Sequence, residues 1–344
     1  MNIDTEIKLD FKDVLIRPKR STLGSRNEVS LERTFKFVNS RQEWTGIPIM
    51  TSNMDTTGTF EMYDVLQEYK MLTCFHKHYT FEDFKNKNKK NPLDREYYCL
   101  STGIGNNDWE KLKKLVELLD PKFLCIDVAN GYSCKFLEFV KKVRQTYPNM
   151  ILIGGNIVTR EMVEELILNG GLDICKIGIG NGSVCTTRIQ TGVGYPQLSA
   201  VIECSDGAHG ISSHIISDGG VQNAGDIAKA FGAGADFIMS GSLFAGHDQS
   251  AGEVVEIDGK KFKEFYGMSS SNAMEKYYGG VAKYRSAEGK CVRVKYKGDV
   301  RDTIQSILGG VRSTMTYIGA KRLKDLPKCT TFIRVNRQVN DLFK

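Results

Sequence analysis

Eight short apolar runs, each ending in glycine or a polar residue, recur along this chain at nearly constant spacing: IPIMTSN from Ile47, MLTCFHK from Met71, YYCLSTG from Tyr97, FLCIDVA from Phe123, MILIGGN from Met150, ICKIGIG from Ile174, HIISDGG from His214 and DFIMSGS from Asp236. Their starts lie 24, 26, 26, 27, 24, 40 and 22 residues apart. Such a period has room for one strand, one helix and two short connections. The runs are continuously apolar rather than alternating, as strands covered on both faces should be. The intervals carry helical patterns, as in VTREMVEELILNG (158–170) and NAGDIAKAFGAGA (223–235). Strand then helix, eight times over, predicts an α/β fold of the (β/α)8 barrel type, with an open doubly wound sheet as the alternative because periodicity does not show closure. A length of 344 residues suits one such barrel. With no interdomain linker in evidence, residues 1–344 are expected to form a single catalytic domain.

The one long interval holds NGSVCTTRIQTGVGYPQLSA after the sixth strand, about 15 residues beyond the period. That is where barrel enzymes carry active-site loops, past a strand's C-terminal end. Within it Cys185 stands among glycines and hydroxyl side chains. Most cysteines are small core residues. Here a polar loop with Arg188 nearby, whose cation and backbone dipoles would favour the thiolate, points instead to a nucleophile. Glycine carbonyls around Gly180 and Gly182 could ring a monovalent cation. The seventh and eighth strands end in SDGG (217–220) and SGS (240–242), where this fold places phosphate sites. Gly219, Gly220, Gly241 and Ser242 would offer amides and a hydroxyl, and Asp218 would accept from ribose hydroxyls. A second insertion follows the eighth strand. EVVEIDGKKFKEF carries Asp258-Gly259 between strand-like arms, a hairpin signal, and GGVAKYRSAEGK (279–290) reads as a mobile flap. The helix that closes the barrel is DTIQSILGGVRSTMTYIGA, with Asp302 as its expected N-cap. The run KNKNKKN (85–91) reads as a solvated helix end.

Composition narrows the function classes. The net charge of +6 comes from 47 basic and 41 acidic residues spread evenly along the chain, unlike the clustered footprint of a nucleic-acid binder. Nine cysteines form an odd set without a CxxC pair and sit mostly in apolar runs, which suits reduced core thiols rather than disulfides or zinc. No basic start followed by an apolar block opens the sequence, and no run approaches about 18 apolar residues. A soluble cytoplasmic protein without membrane partners is expected.

GSVCTTR, TGVGYPQLSA, ISDGG, FYGMSS and GGVAKYRSAEGK together resemble the catalytic loop, phosphate loops, base loop and flap of the inosine monophosphate dehydrogenase and guanosine monophosphate reductase family. The resemblance runs from IKLDFKDVLIRPKR, beginning at Ile7, to the C-terminal helix. HKHYTFEDF (76–84), the flap and the length are most similar to the animal-type reductase branch. The short interval between the second and third strands leaves no room for the regulatory insertion of many dehydrogenases.

This resemblance implies NADPH-dependent reductive deamination of guanosine monophosphate (GMP) to inosine monophosphate (IMP) and ammonia, through a thioimidate on Cys185. Thr187 and Glu288 match the pair that handles protons for the departing ammonia. Asp218, Gly219, Gly220, Gly241 and Ser242 match nucleotide-binding positions, with Met268, Ser269, Ser270 and Arg285 around the base. Lys77, Asp127, Val128, Ala129, Ser313, Thr314, Met315 and Thr316 match cofactor contacts, and Ser25 and Arg26 would reach the cofactor of a neighbouring subunit in a homotetramer. Gly180, Gly182 and Cys185 would lend carbonyls to potassium. Asn181 departs from the family's pattern, which has proline in GPGSVCTT. Loss of that φ restraint predicts a less preorganised loop. Two other functions stay open: a dehydrogenase lacking the insertion, which oxidises IMP with NAD and hydrolyses the same intermediate, and a catalytically silent purine-nucleotide binding barrel.

Overall fold

In the computed structural model, which describes residues 2–280 and 286–336, each of the eight apolar runs forms a strand. They are β1 (Ile49–Thr51), β2 (Leu72–Cys74), β3 (Tyr98–Thr102), β4 (Phe123–Asp127), β5 (Ile151–Ile157), β6 (Ile174–Ile177), β7 (His214–Asp218) and β8 (Phe237–Ser240). Neighbours pair in parallel all the way round, and β8 returns to β1 with Ile238 opposite Ile49. That last ladder closes the barrel and rules out the open sheet. The interior is packed by residues such as Met50, Leu72, Ile153, Ile216 and Met239, together with the thiols of Cys74, Cys99 and Cys125 from three successive strands.

The connecting helices are α1 (Phe60–Leu66), α2 (Phe81–Lys90), α3 (Asn106–Leu119), α4 (Cys134–Thr146), α5 (Arg160–Leu168), α6 (Gln197–Gly210), α7 (Ala224–Gly232) and α8 (Val300–Ile318). Most lay one apolar face on the barrel; in α4 that face is Phe136, Phe139, Val140 and Val143. KNKNKKN does end α2 on the surface. Helix α8 starts earlier than expected. Asp299, not Asp302, is its N-cap, accepting from the Arg301 amide at 2.8 Å. Asp302 sits instead in the first turn, where a carboxylate still favours the positive helix end.

An antiparallel hairpin, Arg33–Lys36 with Glu43–Gly46, plugs the end of the barrel where the strands begin. Phe35 lies 4.4 Å from the Phe237 ring at the start of β8, and Trp44 meets Phe123 at the start of β4 edge to face. The plug dries that end, so a ligand enters from the other. Beyond β8 the Asp258-Gly259 turn joins β9 (Val255–Ile257) to β10 (Lys260–Tyr266), with φ of 50° and 70° at its two central residues, as a tight hairpin requires. A third strand, β11 (Cys291–Lys295), pairs with β10 and extends this sheet. Between β10 and β11 lie a short helix, Ser271–Tyr278, and the flap, of which residues 281–285 fall outside the described residues. The segment Val14–Ile16 pairs antiparallel with Phe332–Arg334. No helix among the described residues is long and apolar enough to cross a membrane.

Candidate active site

A cavity of about 290 Å³ opens at the C-terminal ends of the strands, between the loop after β6 and the ends of β7 and β8. Its walls bring together Asp127, Val128, Ala129, Gly180, Gly182, Cys185, Thr187, Asp218, Gly219, Gly220, Gly241, Ser242, Met268, Ser269 and Glu288, which come from six separate stretches of sequence.

Cys185 is half-buried. Its thiol donates to Thr187 Oγ1 at 3.1 Å, and the Thr187 hydroxyl donates in turn to Glu288 Oε2 at 2.8 Å. A proton can therefore travel between sulfur and carboxylate through one hydroxyl. The backbone holds this relay in place. The Thr186 amide donates to the Glu288 carbonyl at 2.9 Å, the Lys290 amide to the Val184 carbonyl at 2.9 Å, and the Glu288 amide to the Ser269 carbonyl at 3.0 Å. Gly289 bridges to Cys185 on one side and Ser270 on the other. The flap's last residues thus form a strap between the cysteine loop and the loop after β10.

At the β7 end, Asp218 Oδ2 accepts from Lys176 Nζ at 2.7 Å and from Asn156 Nδ2 at 2.9 Å, while Oδ1 has no hydrogen bond among the described residues. Lys176 also meets Asp127 at 2.7 Å. Burial works against its ammonium, but the two carboxylates outweigh it and hold its pKa well above the ordinary lysine range. Asp127 is depressed in return: burial raises it, and Lys176 more than compensates. Lys176 was not among the expected site residues. The sequence signal for it is a lysine in the middle of the apolar run ICKI, which must be paired if the strand is buried. The Gly219 amide is committed to the Met239 carbonyl at 3.0 Å, so it is not available to a phosphate as expected. Among the described residues the amides of Gly220, Gly241 and Ser242 donate to no protein acceptor, and these three fit an anion.

Met268 and Ser269 line the cavity, whereas the Ser270 side chain is buried and caps the Ser271–Tyr278 helix by accepting from the Ala273 amide. Arg285 lies outside the described residues. Lys77, on the loop after β2, stands beside Gly103 and near enough to Asp127 to help depress it. Ser25, Arg26 and Thr316 share a surface pocket with Leu23, Gly24 and Tyr317, and that pocket has no residue in common with the Cys185 cavity. Ser313 and Thr314 are half-buried on α8; Met315 points into the core and is fully buried.

Two features of the cavity suit small ligands. Val128 and Ala129 give the cavity an apolar wall suited to a flat ring, and the Lys77 cation stands beside Gly103. Three backbone carbonyls, of Gly180, Gly182 and Cys185, are hard neutral donors suited to a monovalent ion. The Gly182 carbonyl accepts from the Cys185 amide at 3.1 Å, which places both on one turn.

Asn181 is fastened rather than loose. Its Nδ2 donates to the Asp218 carbonyl at 2.8 Å, a side-chain restraint of another kind than the φ restraint a proline would give this loop.

Residues 8–340 match the model of the IMP dehydrogenase / GMP reductase domain. The chain is 59% identical to "GMP reductase 2" of Homo sapiens over 343 residues, covering 99% of this chain and 98% of that protein. It is 59% identical to "GMP reductase 1" of Mus musculus, covering 99% of both chains, and 57% identical to "GMP reductase" of Caenorhabditis elegans, covering 99% of this chain and 96% of the relative.

Proposed function

The chain belongs to the IMP dehydrogenase / GMP reductase family, and from that membership we infer that its pocket reduces GMP to IMP and ammonia with NADPH. It is an oxidoreductase, and the dehydrogenase and silent-binder readings are not favoured, because the near-full-length relatives carry the reductase name. The observation that carries the chemistry is the unbroken line of hydrogen bonds from Cys185 through Thr187 to Glu288.

In this reading the Cys185 thiol passes its proton through Thr187 to Glu288, and the thiolate adds to C2 of the guanine. The C2–N bond then breaks, and the nitrogen leaves as ammonia carrying the proton that Glu288 returns. NADPH, when bound, supplies the hydride that reaches C2. The C2–S bond breaks as that carbon is reduced, IMP forms, and the thiolate is reprotonated from solvent. Covalent catalysis divides a difficult displacement into two easier steps, and the relay serves both proton transfers of the first. Asp218 Oδ1 takes ribose hydroxyls, the amides of Gly220, Gly241 and Ser242 take the phosphate, and Met268 and Ser269 border the base. Asp127, Val128, Ala129 and Lys77 flank the cofactor, with Gly180, Gly182 and Cys185 holding potassium.

A homotetramer, in which Ser25, Arg26 and Thr316 would reach the cofactor of a neighbouring subunit, is supported by the separation of their pocket from the Cys185 cavity and by Ile189 and Val193 standing exposed after the cysteine loop. Nine free cysteines suit a reducing cytoplasm. The short interval between β2 and β3 holds a single helix, α2, consistent with one catalytic domain lacking a regulatory insertion.

The test is to mix the protein with GMP and NADPH and follow nicotinamide absorbance. Consumption is expected in the wild type and none in Cys185→Ala, while calorimetry finds GMP binding retained in the variant, since the phosphate and ribose contacts lie on other loops. NADH formation from IMP and NAD, with no reaction of GMP, would overturn the assignment.

A further inference from the structure

The loop that carries Cys185 is joined to the ribose-phosphate end of the cavity by one side chain. Asn181 donates from Nδ2 to the Asp218 carbonyl at 2.8 Å, and its amide packs against the turn that follows. A Cβ built on Gly219 or Gly220 would lie 3.3 to 3.5 Å from Asn181 side-chain atoms. On its other side Gly178, with φ of 151°, brings the end of β6 so close to β7 that a Cβ there would meet the Asp218 carbonyl at 2.4 Å. From Asn181 to the nucleophile is a single turn, closed by the Cys185 amide on the Gly182 carbonyl at 3.1 Å.

A proline at this place would restrain its own φ whether or not the cavity were filled. Asn181 restrains the loop differently: it ties the loop to the position of the Asp218–Gly220 turn. That turn is the part of the cavity whose carboxylate is aimed by Lys176 and Asn156 and whose Gly220 amide is open to an anion. A ligand that settles the turn therefore also settles the turn's tether to the thiol loop.

Resting on the reading of this cavity as a nucleoside monophosphate site, we propose that Asn181 is a positioning residue that couples occupancy of the ribose-phosphate end to presentation of the Cys185 thiol. Binding energy from the part of the substrate that does not react is thereby spent on orienting the group that does. No such link runs through a side chain that lacks a donor.

The experiment uses a substrate fragment without a base, methyl β-ribofuranoside 5-phosphate, which leaves the sulfur uncovered. The rate of Cys185 alkylation by iodoacetamide is read by peptide mass spectrometry, with and without the fragment at saturation as set by calorimetry for each variant. In the wild type the fragment is expected to speed alkylation by about threefold or more, in the range of coupling carried through packed side chains. In Asn181→Ala and Asn181→Pro the acceleration should vanish, with melting midpoints confirming that both are folded. A direct electrostatic effect of the phosphate would have the opposite sign, slowing thiolate formation, and would persist in both variants. Equal acceleration in wild type and variants, or none in a wild type that binds the fragment, overturns the coupling. Failure of the wild type to bind the fragment at all would show in the calorimetry and overturn the nucleotide-site reading, and the coupling with it.

Discussion

Glu288 stands at the end of a relay whose other end is the Cys185 sulfur, so its carboxylate is tied to two events, ionising the thiol and protonating the departing ammonia. These can be separated. Running the hydride half backwards, IMP with NADP yields NADPH and the covalent intermediate without ammonia. Glu288→Gln should lower steady-state GMP reduction by about 100-fold or more, as loss of a general acid-base usually does. The NADPH burst from IMP, which involves no ammonia, should be slowed less than steady-state reduction. Equal loss of burst rate and steady-state rate would mean the carboxylate organises the whole site instead. At this scale the sequence was informative about exposed chemistry and silent about support. Cys185 and the SDGG and SGS ends could be located because glycine and hydroxyl residues at strand ends have few structural reasons to be there. Which amides would be open could not be read, since the Gly219 amide is consumed by a carbonyl from β8 that only closure brings near. Lys176 and Asn156 aim Asp218 from two other strands, and their partners are set by register, not by local pattern.

Among the elements, the helix Ser271–Tyr278 leads directly into the flap and is fixed by one carboxylate. Asp55, 4% exposed, lies on the loop after β1, and its Oδ2 accepts from Tyr277 at 2.6 Å, Tyr266 at 2.7 Å and Lys276 at 2.9 Å. Burial raises the Asp55 pKa, but these three donors prevail and hold it below the usual value. His78 stacks on Tyr277 with ring centroids 3.5 Å apart, adding a second hold on the same helix. Asp55→Asn keeps the shape but removes the counter-charge of Lys276. Hydrogen exchange should then quicken in residues 271–278 with the barrel strands unaffected, and turnover should fall about tenfold as the strap on Glu288 loosens. Uniform acceleration of exchange would show that Asp55 supports the barrel as a whole. The strands were legible because an eight-fold run of apolar segments has few other solutions. The plug hairpin and β11 were not, since short strands alternating apolar and polar residues at a sheet edge resemble loops until their partners are known.

Across the whole molecule, the plugged end is held by Asp236, fully buried at the start of β8. It meets Arg33 of the hairpin at 2.8 Å, His209 of α6 at 2.8 Å and His214 of β7 at 3.4 Å. Burial alone would raise its pKa, but His214, His209 and Arg33 drive it far below the carboxylate range. Its stabilisation is thus present above the unfolded value near 3.9 and lost as pH falls further. His209 is raised mainly by its hydrogen bond to Asp236, so its share is present below the unfolded value near 6.5 and lost as pH rises through the folded value. Asp236→Asn should cost about 3–5 kcal/mol in denaturant unfolding and flatten the pH dependence of stability in both windows. An unchanged profile would remove this cluster as the acid-sensitive point of the fold. The pairing of Val14–Ile16 with Phe332–Arg334 has a consequence for how the chain is made. One strand of that ladder is made roughly 300 residues before its partner, and at roughly 5–20 residues per second the wait is on the order of tens of seconds. Barrel closure imposes a shorter delay of the same kind on β1, whose partner β8 is the last barrel strand to be made. The nascent chain therefore carries an open sheet edge until β8 is made, the condition under which chaperone capture competes with aggregation.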